Sequence, residues 1–374
     1  MIYFDYTATT KPRQEVIELY QKVNSDYWYN PSSIYKTGVV SDSLFKDCES
    51  NVIKTLKLQN KKVIFTSGAT EANNLAIYGI CNNYLYQNKN IITTKIEHPS
   101  VLSCYQDLEK KGFIVNYLSV DEDGLINVEE LKELINNDTI LVSIMWVNNI
   151  VGSIQPIEEV IKITKQYPRV KLHVDSVQGI GKIEPKFSFN DVDLFTLSSH
   201  KINGLKSSGA LIMNDKIVLS SIIKGATQQE GIRPGTIDVS LAAATTKALM
   251  LIQSELDSHY KYVLELHNYF KQQLTGLPNV LINGANKNYS PYILNISILN
   301  TESETFIHYL ERFEIYVAAG SACNSKTKKP EKTIYAMTND ERRAVTSLRI
   351  SLSYVSTKDE IDEFVKCLRK FLEK

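Results

Sequence analysis

The sequence predicts an α/β protein: a mostly parallel sheet with helices on both faces, joined to a smaller α+β unit formed by the C-terminal part. Three observations predict it. From Lys61 to about Leu211, short β-branched runs alternate with helix-length amphipathic stretches. The runs KVIFTSG, NIITTKI, GFIVNYLSV, TILVSIMWV, VKLHVDS and DLFTLSS are apolar on both faces, as strands are when helices cover them above and below. From about residue 279 the pattern changes to strand-like YILNISIL and SLRISLS, with helical patterns over 303–312 and 358–373.

The elements follow in order. KVIFTSG is a strand closed by a tight Ser67-Gly68 turn, and a helix opens near Thr70, whose hydroxyl suits an N-cap. Helical periodicity covers Glu71–Ile80, Ser100–Lys111 and Val128–Ile135, between successive strands. A single helical stretch runs from about Asp238 to Leu274 and stops at Gly276-Leu277-Pro278. These patterns divide the chain into a large domain over 13–250 and a small one made of 1–12 and 251–374. The segment NSKTKKPEK at 324–332 is the most polar and least patterned.

Size and charge narrow the function classes. A chain of 374 residues can bury a substantial core without metals or disulfides. Lys+Arg and Asp+Glu both number 42, so net charge gives no electrostatic case for nucleic acid or an acidic membrane. The five cysteines form no CxxC pair, which reads as reduced thiols rather than a disulfide framework or a zinc site. MIYFDYTATT lacks the basic and apolar regions of a secretory signal, and no apolar window approaches membrane-spanning length. A soluble cytoplasmic protein with no resident metal is expected.

Ligands of an open parallel sheet bind beyond the carboxyl ends of its strands. The turn before Thr70 places backbone N–H groups and a helix dipole there, an anion site in principle, although alone it is an ordinary strand–helix junction. Asp175 ends one strand, where an acid is often only a cap. Ser198, Ser199, His200 and Lys201 end another, and a lone lysine there is usually solvated. Taken together, a strand-end acid, a strand-end amine and a phosphate nest are the parts that pyridoxal phosphate (PLP) requires.

This constellation resembles the cysteine desulfurases of the iron–sulfur-assembly type, in the class V aminotransferase branch of fold-type I PLP enzymes. The likeness runs through FDYTATT, NPSS at 30–33, TSGATEANN at 66–74, EHPSV at 97–101 and ILVSIMWVNN at 140–149. It continues through HVDSVQGIGK at 173–182, SSHK at 198–201, RPGT at 233–236, GSACNS at 320–325 and SLRISLS at 347–353. The resemblance implies that Lys201 holds PLP covalently and Asp175 bonds the pyridinium nitrogen. It implies that the backbone at Ala69 and Thr70, with Ser198 and His200, holds the phosphate. Thr236 matches a phosphate contact supplied by a second subunit, which implies a homodimer. Gln178 and Asn149 match residues bonding the cofactor's phenolic oxygen or the substrate carboxylate. His98 would stack on the ring and serve in proton transfer, and Arg349 would clamp the α-carboxylate of L-cysteine. Cys323 would take the sulfur as a persulfide for delivery to an acceptor protein. The nearby Lys326, Lys328 and Lys329 favour its thiolate. Cys48, Cys81, Cys104 and Cys367 read as structural.

Several positions depart from that pattern. Ile150 stands where an acid follows Asn-Asn, and Gln229 stands where the glycine-rich segment has another acid. Both changes delete carboxylates, so a single lost network joining them is expected. Gly204-Leu205-Lys206-Ser207 replaces GPKG, and the histidine after NPSS is replaced around Tyr35. A selenocysteine lyase or aminotransferase on the same scaffold is one competing reading. A degenerate paralogue acting as a binding subunit is another. The polar cysteine loop argues against the first, and the complete set of reactive residues argues against the second.

Overall fold

The computed structural model describes residues 1–84, 89–320 and 330–373. Its strands are β1 (Ile2–Tyr3), β2 (Lys61–Thr66), β3 (Asn90–Thr94), β4 (Ile114–Leu118), β5 (Thr139–Met145), β6 (Lys171–Asp175), β7 (Leu194–Ser198), β8 (Gly209–Asn214), β9 (Val280–Asn283), β10 (Ile293–Ile298), β11 (Ile315–Tyr316) and β12 (Ser347–Ser351). The helices of the first two thirds are α1 (Gln14–Asp26), α2 (Lys36–Thr55), α3 (Ala69–Cys81), α4 (Pro99–Lys110), α5 (Val128–Leu134) and α6 (Ile157–Thr164). The remaining helices are α7 (Val239–Ser254), α8 (Leu256–Leu274), α9 (Ser303–Glu311), α10 (Lys332–Thr338), α11 (Glu341–Val345) and α12 (Lys358–Leu372).

The main sheet has the order β2-β8-β7-β6-β5-β3-β4. β7, β6, β5, β3 and β4 are parallel, while β8 runs antiparallel to both β7 and β2. Because β8 is reversed between β7 and β2, β2 points the same way as the parallel strands, and their carboxyl ends share one edge. β3 and β5 are buried along their whole length, as the two-faced apolar runs require. Helices on the two faces gather separate cores, one including Val142, Trp146 and Val174, the other including Leu75, Ile77, Tyr105 and Leu211. Gly179 lies flat against Trp146, where a Cβ would overlap the indole.

A third core joins Phe4 near the N-terminus to Phe270, Phe306, Leu348 and Phe364. It packs around a three-stranded antiparallel sheet, β12-β10-β9, and the short parallel pair β1-β11. The N-terminal segment therefore crosses to the C-terminal sheet, and Ser351 donates its backbone N–H to Phe4.

Three expectations are corrected. The stretch Asp238–Leu274 is two helices, broken at Glu255, whose backbone leaves the helical path and whose carboxylate pairs with Arg13. The third helix opens at Ala69, and Gly68, not Thr70, is its N-cap. Gly68 takes φ 139 and ψ 179, a region that residues with a Cβ avoid. Among the described residues, Ile150 and Gln229 share no network. Ile150 packs with Ile334, Met337 and Ala344, whereas Gln229 both accepts from Phe65 N and donates to Phe65 O. An amide can satisfy both ends of that strand residue; a carboxylate cannot.

Candidate active site

A cavity of about 550 Å³ opens at the carboxyl edge of the main sheet. Asp175 reaches it from the end of β6, Ser198, His200 and Lys201 from the end of β7, and His98 from the segment after β3. Asn149 enters after β5, Gln178 after β6, and Arg349 from β12 of the C-terminal sheet. Ala69 and Thr70 supply the start of α3. Thr236 is exposed and does not line the cavity of its own chain. Cys323 lies outside the described residues. Cys48, Cys81, Cys104 and Cys367 are all buried and unpaired with one another.

Each side chain is held by a distinct set of neighbours. Lys201 donates from Nζ to the carbonyls of Thr7 and Ala8 at 2.6 and 2.7 Å, so the N-terminal segment forms a wall of the cavity. Asp175 is buried; its Oδ1 accepts from Val177 N at 3.1 Å and its Oδ2 from Asn73 Nδ2 at 2.9 Å. Arg349 is 2 % exposed. Its Nη2 meets Asp5 Oδ1 at 2.8 Å and its Nη1 donates to Asn149 O at 3.1 Å. Gln178 donates to Thr7 O and accepts from Lys182 Nζ.

Burial and charged neighbours set the protonation of the groups around the cavity. Burial, with help from Lys201, Lys206 and Lys182, lowers the His200 pKa to about 4, so this ring is neutral at pH 7. Burial lowers His98 as well; Asp175 opposes the shift while Lys201 and Arg349 add to it. Burial works against Glu71 ionising, yet its bonds to Arg233 and Ser67 hold its pKa below the ordinary value. Beside His98 in the chain, burial pushes the Glu97 carboxyl up to about 8; its Oε1 accepts from Thr94 and Met145, while Oε2 has no partner among the described residues.

Sequence reasoning did not single out Asn73, Ser100, Lys182 or Asp5, although all four lie in the quoted motif segments. Asn73 carried a signal: it interrupts the apolar face formed by Ala72, Ala76, Ile77 and Ile80 of α3, and a polar residue there needs buried partners.

Parallel strands, an amine and an acid on strand ends, and a helix start at the same edge define the class: an α/β enzyme whose site takes a phosphorylated aromatic cofactor. The aminotransferase class-V family profile matches residues 2–364, and the chain belongs to that family. A NifS/IcsS protein homologue of Lactobacillus delbrueckii subsp. bulgaricus is 36% identical over 367 residues, covering 98% of this chain and 95% of the relative. Cysteine desulfurase IscS of Dictyoglomus turgidum is 34% identical over 374 residues, covering 100% of this chain and 95% of the relative. Among solved structures, a NifS-like protein superposes with a TM-score of 0.92 at 32% identity, over 100% of this chain and 99% of its own. The structure of SspA in complex with cysteine superposes with a TM-score of 0.82 at 27% identity, over 96% and 100%.

The family's cofactor is PLP, and the residues present fit it. The N-terminus of α3 has no side-chain cap, which leaves its first N–H groups for a phosphate. A buried carboxylate, a strand-end amine and the buried Arg349 Nε, which has no partner among the described residues, complete a donor and acceptor set suited to that cofactor and an amino acid's carboxylate. Among the described residues no group of His, Cys, Asp and Glu could hold a metal ion, and no helix is long and apolar enough to cross a membrane.

Proposed function

We propose that this chain is a PLP-dependent cysteine desulfurase: L-cysteine becomes L-alanine, and its sulfur passes to Cys323 and then to an acceptor protein. The observation that supports this reading best is the meeting of Lys201, Asp175, His98 and Arg349 around one cavity, on an α/β scaffold of the matching family. PLP, when bound, supplies an electron sink that loosens bonds at the carbons next to a substrate amine.

The chain's residues divide the remaining work. Lys201 tethers the cofactor and, once substrate displaces it, is the base for the substrate Cα proton. Asp175 would keep a proton on the cofactor's ring nitrogen, an acceptor role suited to its buried, hydrogen-bonded carboxylate. The start of α3, with Ser198 and His200, holds the phosphate; Thr236 of a second copy adds to it, so the working unit is a homodimer. Gln178 and Asn149 bond the cofactor's phenolic oxygen or the substrate carboxylate, and Arg349 binds that carboxylate. The Cys323 thiolate attacks the substrate sulfur; the carbon–sulfur bond breaks with its electron pair kept by the substrate carbon, which takes up a proton on the way to L-alanine, and Cys323 keeps the sulfur as a persulfide. The reading places the protein in the cytoplasm, serving iron–sulfur assembly or tRNA thiolation through its acceptor.

Incubation of the PLP-loaded protein with L-cysteine is expected to release L-alanine and add one sulfur atom to Cys323, read by peptide mass spectrometry. Cys323→Ser is expected to abolish persulfide formation. Equal alanine release by wild type and Cys323→Ser would overturn the persulfide role. Absence of protein-bound PLP absorbance after added PLP and removal of the excess would overturn the enzyme reading.

A further inference from the structure

Two buried residues with no part in the reaction just described join two that have one. Asn73, fully buried in α3, donates from Nδ2 to Asp175 Oδ2 at 2.9 Å and to Ser100 Oγ at 2.9 Å. Ser100 Oγ in turn lies 2.8 Å from His98 Nδ1, and the Ser100 backbone N–H donates to the same nitrogen at 3.1 Å. His98 is the N-cap of α4, so this last bond also fixes the start of that helix.

The directions of these bonds follow from chemistry. A flipped Asn73 amide would set its carbonyl against the Asp175 carboxylate, two acceptors with no hydrogen between them; the amide must therefore point its NH₂ at Asp175. Its other N–H is spent on Ser100 Oγ, which leaves the Ser100 hydroxyl hydrogen for His98 Nδ1. A backbone N–H can only donate, so Nδ1 meets donors alone and cannot carry hydrogen. The neutral ring must hold its hydrogen on Nε2.

We propose that Asn73 and Ser100 are positioning residues that lock His98 as the Nε2–H tautomer and tie its state to Asp175. A ring held this way offers the cavity a hydrogen-bond donor and no lone pair. In its resting form His98 therefore gives a hydrogen bond to an anionic group, such as a substrate thiolate or carboxylate, and does not abstract a proton. Protonation at Nδ1 requires Ser100 to turn away, and Asn73 opposes that turn. Asp175 favours the charged ring, while Lys201 and Arg349, the other charged groups facing it, oppose it. This inference rests on the assignment of His98 to the cofactor site, but its readout does not.

The test is long-range ¹H–¹⁵N NMR of the full chain freed of PLP, with the His98 signals identified among the six histidines by their loss in His98→Gln. Wild type is expected to show bare Nδ1 and protonated Nε2 throughout neutral pH. Asn73→Leu frees the Ser100 hydroxyl, and Ser100→Ala removes it. Each is expected to ease His98 protonation about tenfold, a rise of one pH unit in its midpoint, and Ser100→Thr should restore wild-type behaviour. Should Asn73→Leu fail to fold, Ser100→Ala, which deletes a single oxygen, still decides the matter. A protonated Nδ1 in neutral wild type, or variants titrating like wild type, would overturn the proposal. Loss of PLP binding or of desulfurase activity would instead bear on the functional reading and leave the tautomer result standing.

Discussion

Lys182 donates from Nζ to Gln178 Oε1 at 2.6 Å, with both side chains buried beside the cavity. The same glutamine donates to Thr7 O, the carbonyl that also accepts from Lys201 Nζ. Lys182 and Thr7 O thus hold the two ends of the Gln178 amide, and two lysines are linked through one amide and one carbonyl.

That burial has a pH signature. Burial first, then Lys201 and Arg349, lower the Lys182 pKa from its ordinary 10.5 to about 7. Between those values the unfolded chain binds the extra proton, so the wild type loses stability as pH falls through this window. Below about 7 both states are charged and no further loss arises from this group. Thermal melts of wild type and Lys182→Met are expected to diverge in favour of the variant from pH 10 down to 7, then run parallel. A constant gap across that range would refute the buried, titrating lysine.

Arg349→Lys is expected to raise KM for L-cysteine and lower kcat/KM about tenfold to a hundredfold, the loss of one or two charge-assisted bonds. A lysine cannot span Asp5 and Asn149 O and still present a planar fork. Steady-state kinetics with unchanged KM would exclude the carboxylate clamp.

Gln229→Glu is expected to destabilise this chain by about 1–2 kcal/mol at pH 7, because the new carboxylate faces Phe65 O without a hydrogen. Denaturant unfolding should show the loss shrinking at acidic pH, as the carboxyl regains a proton to donate. A neutral or stabilising effect at pH 7 would mean that Phe65 is not the partner that selects glutamine.

Gly179→Ala is expected to cost about 1–3 kcal/mol through overpacking against Trp146. The chain has two tryptophans, and Trp28 is exposed, so a shift in the buried tryptophan's fluorescence should accompany the lower melting temperature. Wild-type stability with unchanged emission would show that the indole moves aside freely.

Much of the fold was legible in the chain because the relevant signals are local. β-branched runs of strand length and the helical periodicities between them mark β2 to β7 and α3 to α5, with boundaries that shift by a residue or two. Turn chemistry was less legible: Thr70 looks like a cap by residue type, yet Gly68 takes that position because only its backbone reaches the required φ. The break at Glu255 left no mark in the periodicity, and the Arg13 that pairs with its carboxylate lies far away in the chain.

What the sequence determined by itself is the inventory: which residues end strands, which helices are amphipathic, and which acid, amine, imidazole and guanidinium lie in motif segments. What only the tertiary structure decided is partnership. Asn73 bonds Ser100 and Asp175, 27 and 102 positions away, Lys201 rests on Thr7, and Arg349 reaches Asp5 across 344 positions. Such pairings depend on the order β2-β8-β7-β6-β5-β3-β4 and on the N-terminal segment joining the C-terminal sheet. Propensity and periodicity act within a few residues, whereas burying a polar group requires a partner that packing alone brings near.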